Sequence, residues 1–144
     1  MLTTLIAVLG TLAGTAIAHL SQRAHRHAAD ARTQRAEAIT AIADLATALA
    51  DHRRAMWLRE NLRLTSHDWA TARADSHTTR SAITAPLLRV QILLPAAAGP
   101  AQTATQAVYD LRDTPDSDTL TAARENAIRK ADAFVTAAGA ALTA

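Results

Sequence analysis

The 144-residue chain has no cysteine, very few aromatic residues and no Asp, Glu, Lys or Arg before residue 23. Without cysteine it has no disulfides, no thiolate metal ligands and no cysteine nucleophile. Aromatic residues make up 3% of the chain, so its core must consist mainly of alanine and aliphatic side chains, which gain little free energy each on burial. We expect moderate stability and some reliance on self-association.

The usual signatures of catalysis and metal binding are also missing. With four glycines in the chain there is no glycine-rich phosphate loop, and no serine lies in a nucleophile elbow. His25 and His27 are one residue apart, which on a helix turns their side chains about 200° away from each other. We therefore expect no catalytic residue, no metal and no cofactor, and interpret Asp44, Asp51 and Glu60 as ordinary surface residues of a helix.

The uncharged N-terminal segment has the length of a membrane span. Residues 2–20 would form about 28 Å of helix, close to the roughly 30 Å hydrocarbon core of a bilayer. Arginines follow it at once, and basic residues beside a span tend to stay in the cytoplasm. We predict a transmembrane anchor over residues 1–22 in the plasma membrane, with the N-terminus outside and the C-terminus inside. The arginines expected at the lipid head groups are Arg23, Arg26, Arg32 and Arg35.

Two other interpretations of this segment remain open. Residues 16–18 form an A-x-A pattern that would suit signal cleavage, although the positive n-region of a secretory signal is missing. A core helix of a soluble bundle is the third interpretation. If the segment does span the membrane, Gly10, Gly14 and Ala18 give one helix face small enough for close approach of a second copy, which predicts a homo-oligomer.

The remaining residues, 23–144, predict one cytoplasmic domain of helices. Apolar residues recur three and four positions apart, no segment has the alternation of a strand, and Pro and Gly separate the helical stretches. The helices are expected at about 28–62, 68–94, 101–112 and 117–142. Short connections favour antiparallel neighbours, so we predict an all-α fold in which the anchor precedes an up-down bundle or an elongated helical hairpin.

A polar cluster is expected between the first two helices of this domain. With the turn near residue 64, Arg53 would lie opposite Asp75 and Ser76, with His52 at the same level. Arg53 and Trp57 are four residues apart and could stack. Because buried polar groups need partners, we predict an inter-helix network or partner site. Its expected members are His52, Arg53, Trp57, Asp75, Ser76, His77 and Arg80.

The basic stretch of the first helix does not predict DNA recognition. Sequence-specific recognition by a helix needs basic and polar side chains along one face. Here the arginines between residues 53 and 63 are interrupted by Met56, Trp57 and Leu58. We expect no sequence-specific contact with nucleic acid.

Residues 51–57 and 76–87, together with residues 6–14, resemble the small actinobacterial membrane proteins called KilB-like, after the spread proteins of Streptomyces conjugative plasmids. The resemblance extends to residues 120–124. It implies a role in plasmid spread and contact with proteins of a transfer apparatus, but implies no active site. We therefore expect a non-enzymatic, membrane-anchored scaffold or accessory protein. The alternatives are a secreted helical binding domain and a membrane-perturbing protein of the holin or toxin kind.

Overall fold

A computed structural model describes the backbone of residues 2–143 and the side chains of residues 29–143. Over these residues it contains helices and no strand, which confirms the all-α prediction. Four α-helices and one 3-10 turn follow each other along the chain. Their bounds are α1 Leu2–Leu64, α2 Ala70–Leu93, the 3-10 turn Pro95–Ala97, α3 Ala98–Tyr109 and α4 Ser117–Ala141.

The whole of the expected membrane anchor, residues 1–22, lies outside the residues whose side chains are described. This holds for the small-residue face of Gly10, Gly14 and Ala18 and for Arg23 and Arg26. Among the described residues, no helix is both apolar and long enough to cross a membrane. The other two arginines of the basic stretch, Arg32 and Arg35, are described and are exposed.

Helices α1 and α3 begin earlier than expected, before polar residues and a proline at which the sequence predicted a helix boundary. The helix expected over residues 28–62 is the later part of α1, whose backbone is helical from Leu2 to Leu64. Helix α3 begins at Ala98 rather than near residue 101, with Pro100 in its first turn. Proline is tolerated there because the first amides of a helix have no intrahelical acceptor. Helix α2 contains Pro86, as the expected bounds of 68–94 implied.

The chain divides into two compact units, residues 1–36 and residues 37–144. The second unit has one apolar core to which all four helices contribute. From α1 come Ala41, Leu45, Leu49 and Met56, spaced by multiples of about one turn. The single phenylalanine, Phe134 of α4, is fully buried in this core. The other core side chains are alanine, leucine, isoleucine, valine and methionine, in agreement with the alanine and aliphatic core that the composition predicted.

Helices α1 and α2 are antiparallel, as three contacts between them demonstrate. Asp44 accepts a hydrogen bond from Arg89 at 2.9 Å, and Arg59 donates to Ser76 at 3.3 Å. His52 lies between these levels, 2.9 Å from Thr79. Later residues of α1 therefore contact earlier residues of α2. These three contacts also define the register in which the two helices pair.

Candidate functional site

His52 lies at the centre of a polar site between α1, α2 and α3. Its side chain is 1% exposed, its Nδ1 atom is 2.9 Å from the Thr79 hydroxyl, and its ring meets Tyr109 edge-on at 5.6 Å between centroids. The second ring nitrogen, Nε2, is buried and has no hydrogen-bond partner among the described residues. A buried nitrogen of this kind is costly unless it is satisfied by water or a ligand.

The surroundings of His52 keep its imidazole neutral. Burial is the main cause, because the charged form loses hydration, and the positive charges of Arg80 and Arg59 add to the effect. Together they lower the pKa of His52 from 6.5 to about 4. At neutral pH the ring therefore has one N–H donor and one nitrogen lone pair.

A cavity of about 20 Å³ adjoins His52, which is room for one water-sized group. Two of its lining residues are stacked, the Arg80 guanidinium on the Tyr109 ring, with Cζ 4.1 Å from the ring centroid. Among the described residues that line the cavity, three are arginines, two are histidines and none is a carboxylate. They are His52, Met56, Arg59, Ser76, His77, Arg80, Tyr109 and Arg112.

Glu60 is part of a buried ion cluster next to this cavity. Its side chain is fully buried, with one oxygen 2.6 Å from Nε of Arg63 and the other 3.4 Å from Nε of Arg59. Arg63 also donates a hydrogen bond to the backbone carbonyl of Thr114, just before α4. The interpretation of Glu60 as a surface residue is therefore wrong, since it lies on the side of α1 that faces the core.

The predicted polar network is only partly assembled. His52, Ser76, His77 and Arg80 do converge, because all four line the cavity. Asp75 is instead exposed and lines a different groove between α1 and α2.

Arg53 and Trp57 lie along a third groove, together with Arg124 of α4. The prediction that Arg53 lies opposite Asp75 and Ser76 is wrong because of the turn. Helix α2 begins only at Ala70, so it is Arg59 that reaches Ser76.

The groove next to α4 is basic and partly apolar. Arg53 is half-buried there, and its pKa is lowered mainly by burial and then by Arg124, with Asp132 acting in the opposite direction. Trp57 is 38% exposed beside it. We define this surface, formed by Ala50, Arg53, Arg54, Trp57 and Arg124, as the arginine groove.

The observed stacking of arginine on tryptophan involves a different ring from the one predicted. Arg59 and Arg73 place their guanidinium carbons 5.5 and 5.6 Å from the centre of the Trp69 ring.

Two neighbours of His52, Tyr109 and Arg112, were not predicted from the sequence. The apolar stripe of α1, followed past Met56 by one turn, would have indicated that Arg59, Glu60 and Arg63 face inward.

The site has groups that bind anions rather than groups that bind metals. Its lining is cationic and includes the neutral imidazole of His52. No group of three or more histidine or acidic side chains within residues 29–143 is arranged to hold a metal ion. Arginine fits phosphate and carboxylate groups because its guanidinium donates two parallel hydrogen bonds.

Comparison with known proteins confirms the resemblance seen in the sequence. A sequence profile of the family described as KilB plasmid transfer protein matches residues 39–142. The chain is also similar to Protein KilB of Streptomyces lividans, with 54% identity over 143 residues, covering 96% of this chain and 96% of that protein. No solved structure matches the chain. The profile match includes all residues of the His52 cavity and of the arginine groove.

Proposed function

We propose, from the premise that this chain belongs to the KilB family of plasmid transfer proteins, that it is a non-enzymatic, membrane-anchored accessory protein in the spread of conjugative plasmids. The family membership is the observation that carries this proposal. The 54% identity extends over nearly the whole length of the Streptomyces relative, so the N-terminal segment is included as well as the helical domain.

The proposed anchor consists of residues 1–22. These residues have no charged side chain and are followed by four arginines within residues 23–35. Arginine beside a span favours retention of that flank in the cytoplasm and attracts anionic lipids, with about 1 kcal/mol for each basic residue near the surface. The helical domain would then lie on the inner side of the plasma membrane.

The arginine groove is the proposed contact surface for a protein of the transfer apparatus. It combines a partly exposed tryptophan with three arginines, and tryptophan and arginine are the residues most often found at the energetic centre of protein interfaces. Helix α1 also exposes Leu58, at 45%, on its adjoining face. We propose further that copies of the chain associate through Gly10, Gly14 and Ala18.

Membrane attachment can be tested by fractionation of the full-length protein from plasmid-bearing mycelium. We expect the intact chain in the membrane fraction after alkaline carbonate washing, and a reporter fused to the C-terminus active only in the cytoplasm. Mass spectrometry of the same material measures whether residues 1–18 are retained. Intact protein dissolved in the cytosol, or a trimmed form in the medium, would contradict the anchor.

The role in spread can be tested by complementation of a plasmid that lacks this gene. The wild-type chain should restore spread, and the double variant Arg53→Ala/Trp57→Ala should not. A matched control is Val135→Ala, which truncates a side chain of α4 that is 45% exposed. Crosslinking should recover a transfer protein with the wild-type and control chains and not with the double variant. Equal spread by all three chains would refute the assignment of the groove.

A further inference from the structure

The cavity next to His52 has a combination of charge and hydrogen bonding that restricts what it can hold. We propose that this cavity binds a singly protonated phosphate group, supplied either by inorganic phosphate or by a phosphate monoester. The site lies between His52 of α1, Ser76 of α2 and Tyr109 of α3. The inference is independent of the role in plasmid spread.

Positive charge at the cavity favours an anion. The carboxylate of Glu60 lies 3.4 Å from Nε of Arg59. At this distance the buried Nε of Arg59 has no hydrogen-bond partner among the described residues. Arg112 contacts Asp113 at 3.1 Å in an exposed pair. Arg80 stacks on Tyr109 and has no carboxylate within ion-pair distance among residues 29–143. An anion in the cavity would therefore lie close to more arginine side chains than carboxylates.

The hydrogen bonds around Thr79 decide which nitrogen of His52 carries the proton. The single hydroxyl hydrogen of Thr79 is donated to backbone carbonyls, with Asp75 O at 3.0 Å and Ser76 O at 3.3 Å. The hydroxyl oxygen must then accept the hydrogen bond from Nδ1 of His52 at 2.9 Å. In the neutral ring this leaves a lone pair on Nε2, which is buried and without a partner among the described residues.

A suitable ligand must therefore donate a hydrogen bond to Nε2 and also offer negative oxygens to arginine. Water can donate, but it has no charge. Sulfate and carboxylate groups are charged, but at neutral pH they have no hydrogen to donate. A phosphate monoester, with a second pKa near 6, is present in part as the singly protonated anion and satisfies both requirements.

The size of the cavity is consistent with partial entry of such a group. A volume of about 20 Å³ accommodates one oxygen atom. The other oxygens would remain at the mouth, where Arg80, Arg112 and His77 are exposed. Bidentate hydrogen bonds from arginine to phosphate oxygens would hold the group in place.

The test measures binding to the full-length chain purified in mild detergent. Inorganic phosphate, at ten times its Kd, should raise the Tm by about 3–6 °C. A monoester loses its last hydrogen near pH 6, so glycerol 3-phosphate should bind at least tenfold tighter at pH 6 than at pH 8, whereas inorganic phosphate, which keeps a hydrogen at pH 8, should not. Inorganic phosphate should bind at least tenfold tighter than sulfate at the same ionic strength. In NMR spectra phosphate should shift the ring signals of His52. A greater effect of glycerol 3-phosphate would assign the site to a monoester, and an equal effect would assign it to phosphate itself.

Arg80 and Arg112 are exposed, so variants at these positions can test phosphate binding without disturbing the buried core. Arg80→Ala and Arg112→Ala remove guanidinium groups at the mouth and should each weaken phosphate binding at least tenfold. The control is Arg54→Ala, whose side chain is 81% exposed and belongs to the arginine groove. If phosphate and sulfate act equally, or if the control loses binding as much as Arg80→Ala does, the proposal is overturned.

Discussion

The carboxylate of Glu60 is fully buried and lies 2.6 Å from Nε of Arg63, one turn further along α1. Arg63 in turn donates a hydrogen bond to the backbone carbonyl of Thr114. One acidic side chain thus holds two arginines at the end of α1 where the chain turns into α2. This hydrogen bond connects α1 to the segment before α4, 51 residues further along the chain.

Removal of Glu60 should be strongly destabilising. Glu60→Ala leaves the buried Arg59 and the half-buried Arg63 without their carboxylate, and breaking a buried ion pair on one side costs about 3–5 kcal/mol. Because Arg63 is partly exposed to water, we expect a loss of about 3 kcal/mol in the free energy of unfolding, measured by urea denaturation.

The matched control for Glu60 is Asp51→Ala. Asp51 pairs with Arg54 at 3.7 Å in an exposed contact on the same helix, and pairs of that kind are worth at most about 1 kcal/mol. Equal losses for the two variants would mean that the buried cluster does not stabilise the fold.

His52 should make the stability depend on pH in a defined window. The folded protein keeps its pKa near 4, against 6.5 in the unfolded chain, so the unfolded state binds more protons between these values. The stabilisation is therefore complete above about pH 6.5 and is lost as the pH falls towards 4. The loss attributable to His52 is about 3 kcal/mol.

This pH dependence can be isolated with a pair of histidine variants. The difference in unfolding free energy between the wild-type chain and His52→Gln should shrink by that amount from pH 6.5 to pH 4. The matched control is His77→Gln, which removes an exposed histidine from the same cavity and leaves His52 in place, so the loss of stability between pH 6.5 and pH 4 should persist. A His52→Gln curve parallel to the wild-type curve would rule out a depressed pKa.

Phe134 should be the costliest apolar side chain of α4 to truncate. It is fully buried in a core that includes seven alanines, whose short side chains cannot fill the space left behind. We expect Phe134→Ala to lower the free energy of unfolding by about 3–5 kcal/mol. The adjacent Val135 is 45% exposed, and Val135→Ala should cost less than about 1 kcal/mol. Thermal and urea unfolding of both variants would test the difference.

Asp116 should be needed for a well-formed start of α4. Its carboxylate accepts a hydrogen bond from the backbone amide of Thr119 at 2.7 Å, and this bond is the main reason that the pKa of Asp116 is lowered. Asp116→Ala should therefore lower the Tm, whereas Asp116→Asn, which keeps an accepting oxygen, should restore most of it. A wild-type Tm in the alanine variant would contradict the capping role.

The helical class and the rough helix bounds were predictable because they depend on local properties of the chain. Spacing of apolar residues and the lack of any alternating segment indicated helices, and the expected fourth helix over 117–142 lies within a residue of Ser117–Ala141. The capping aspartate before it is a local signal of the same kind. The family resemblance was also accessible from short stretches of residues.

The partners of His52 were not predictable with the same certainty because they depend on register. A shift of the turn by a few residues moves every cross-helix contact, and here it replaced Arg53 by Arg59 opposite Ser76. Tyr109 reaches His52 from α3, and no periodicity within α1 or α2 could indicate a contact with a third helix.

The amino-acid sequence by itself determined an all-α chain, an uncharged N-terminal segment and membership of a plasmid transfer family, because propensity, periodicity and similarity are read along the chain. Only the tertiary structure decided that Glu60 is buried between arginines and that a cationic cavity surrounds the neutral His52. These features arise where helices distant in sequence meet, and burial there changes the free energy of every charged group.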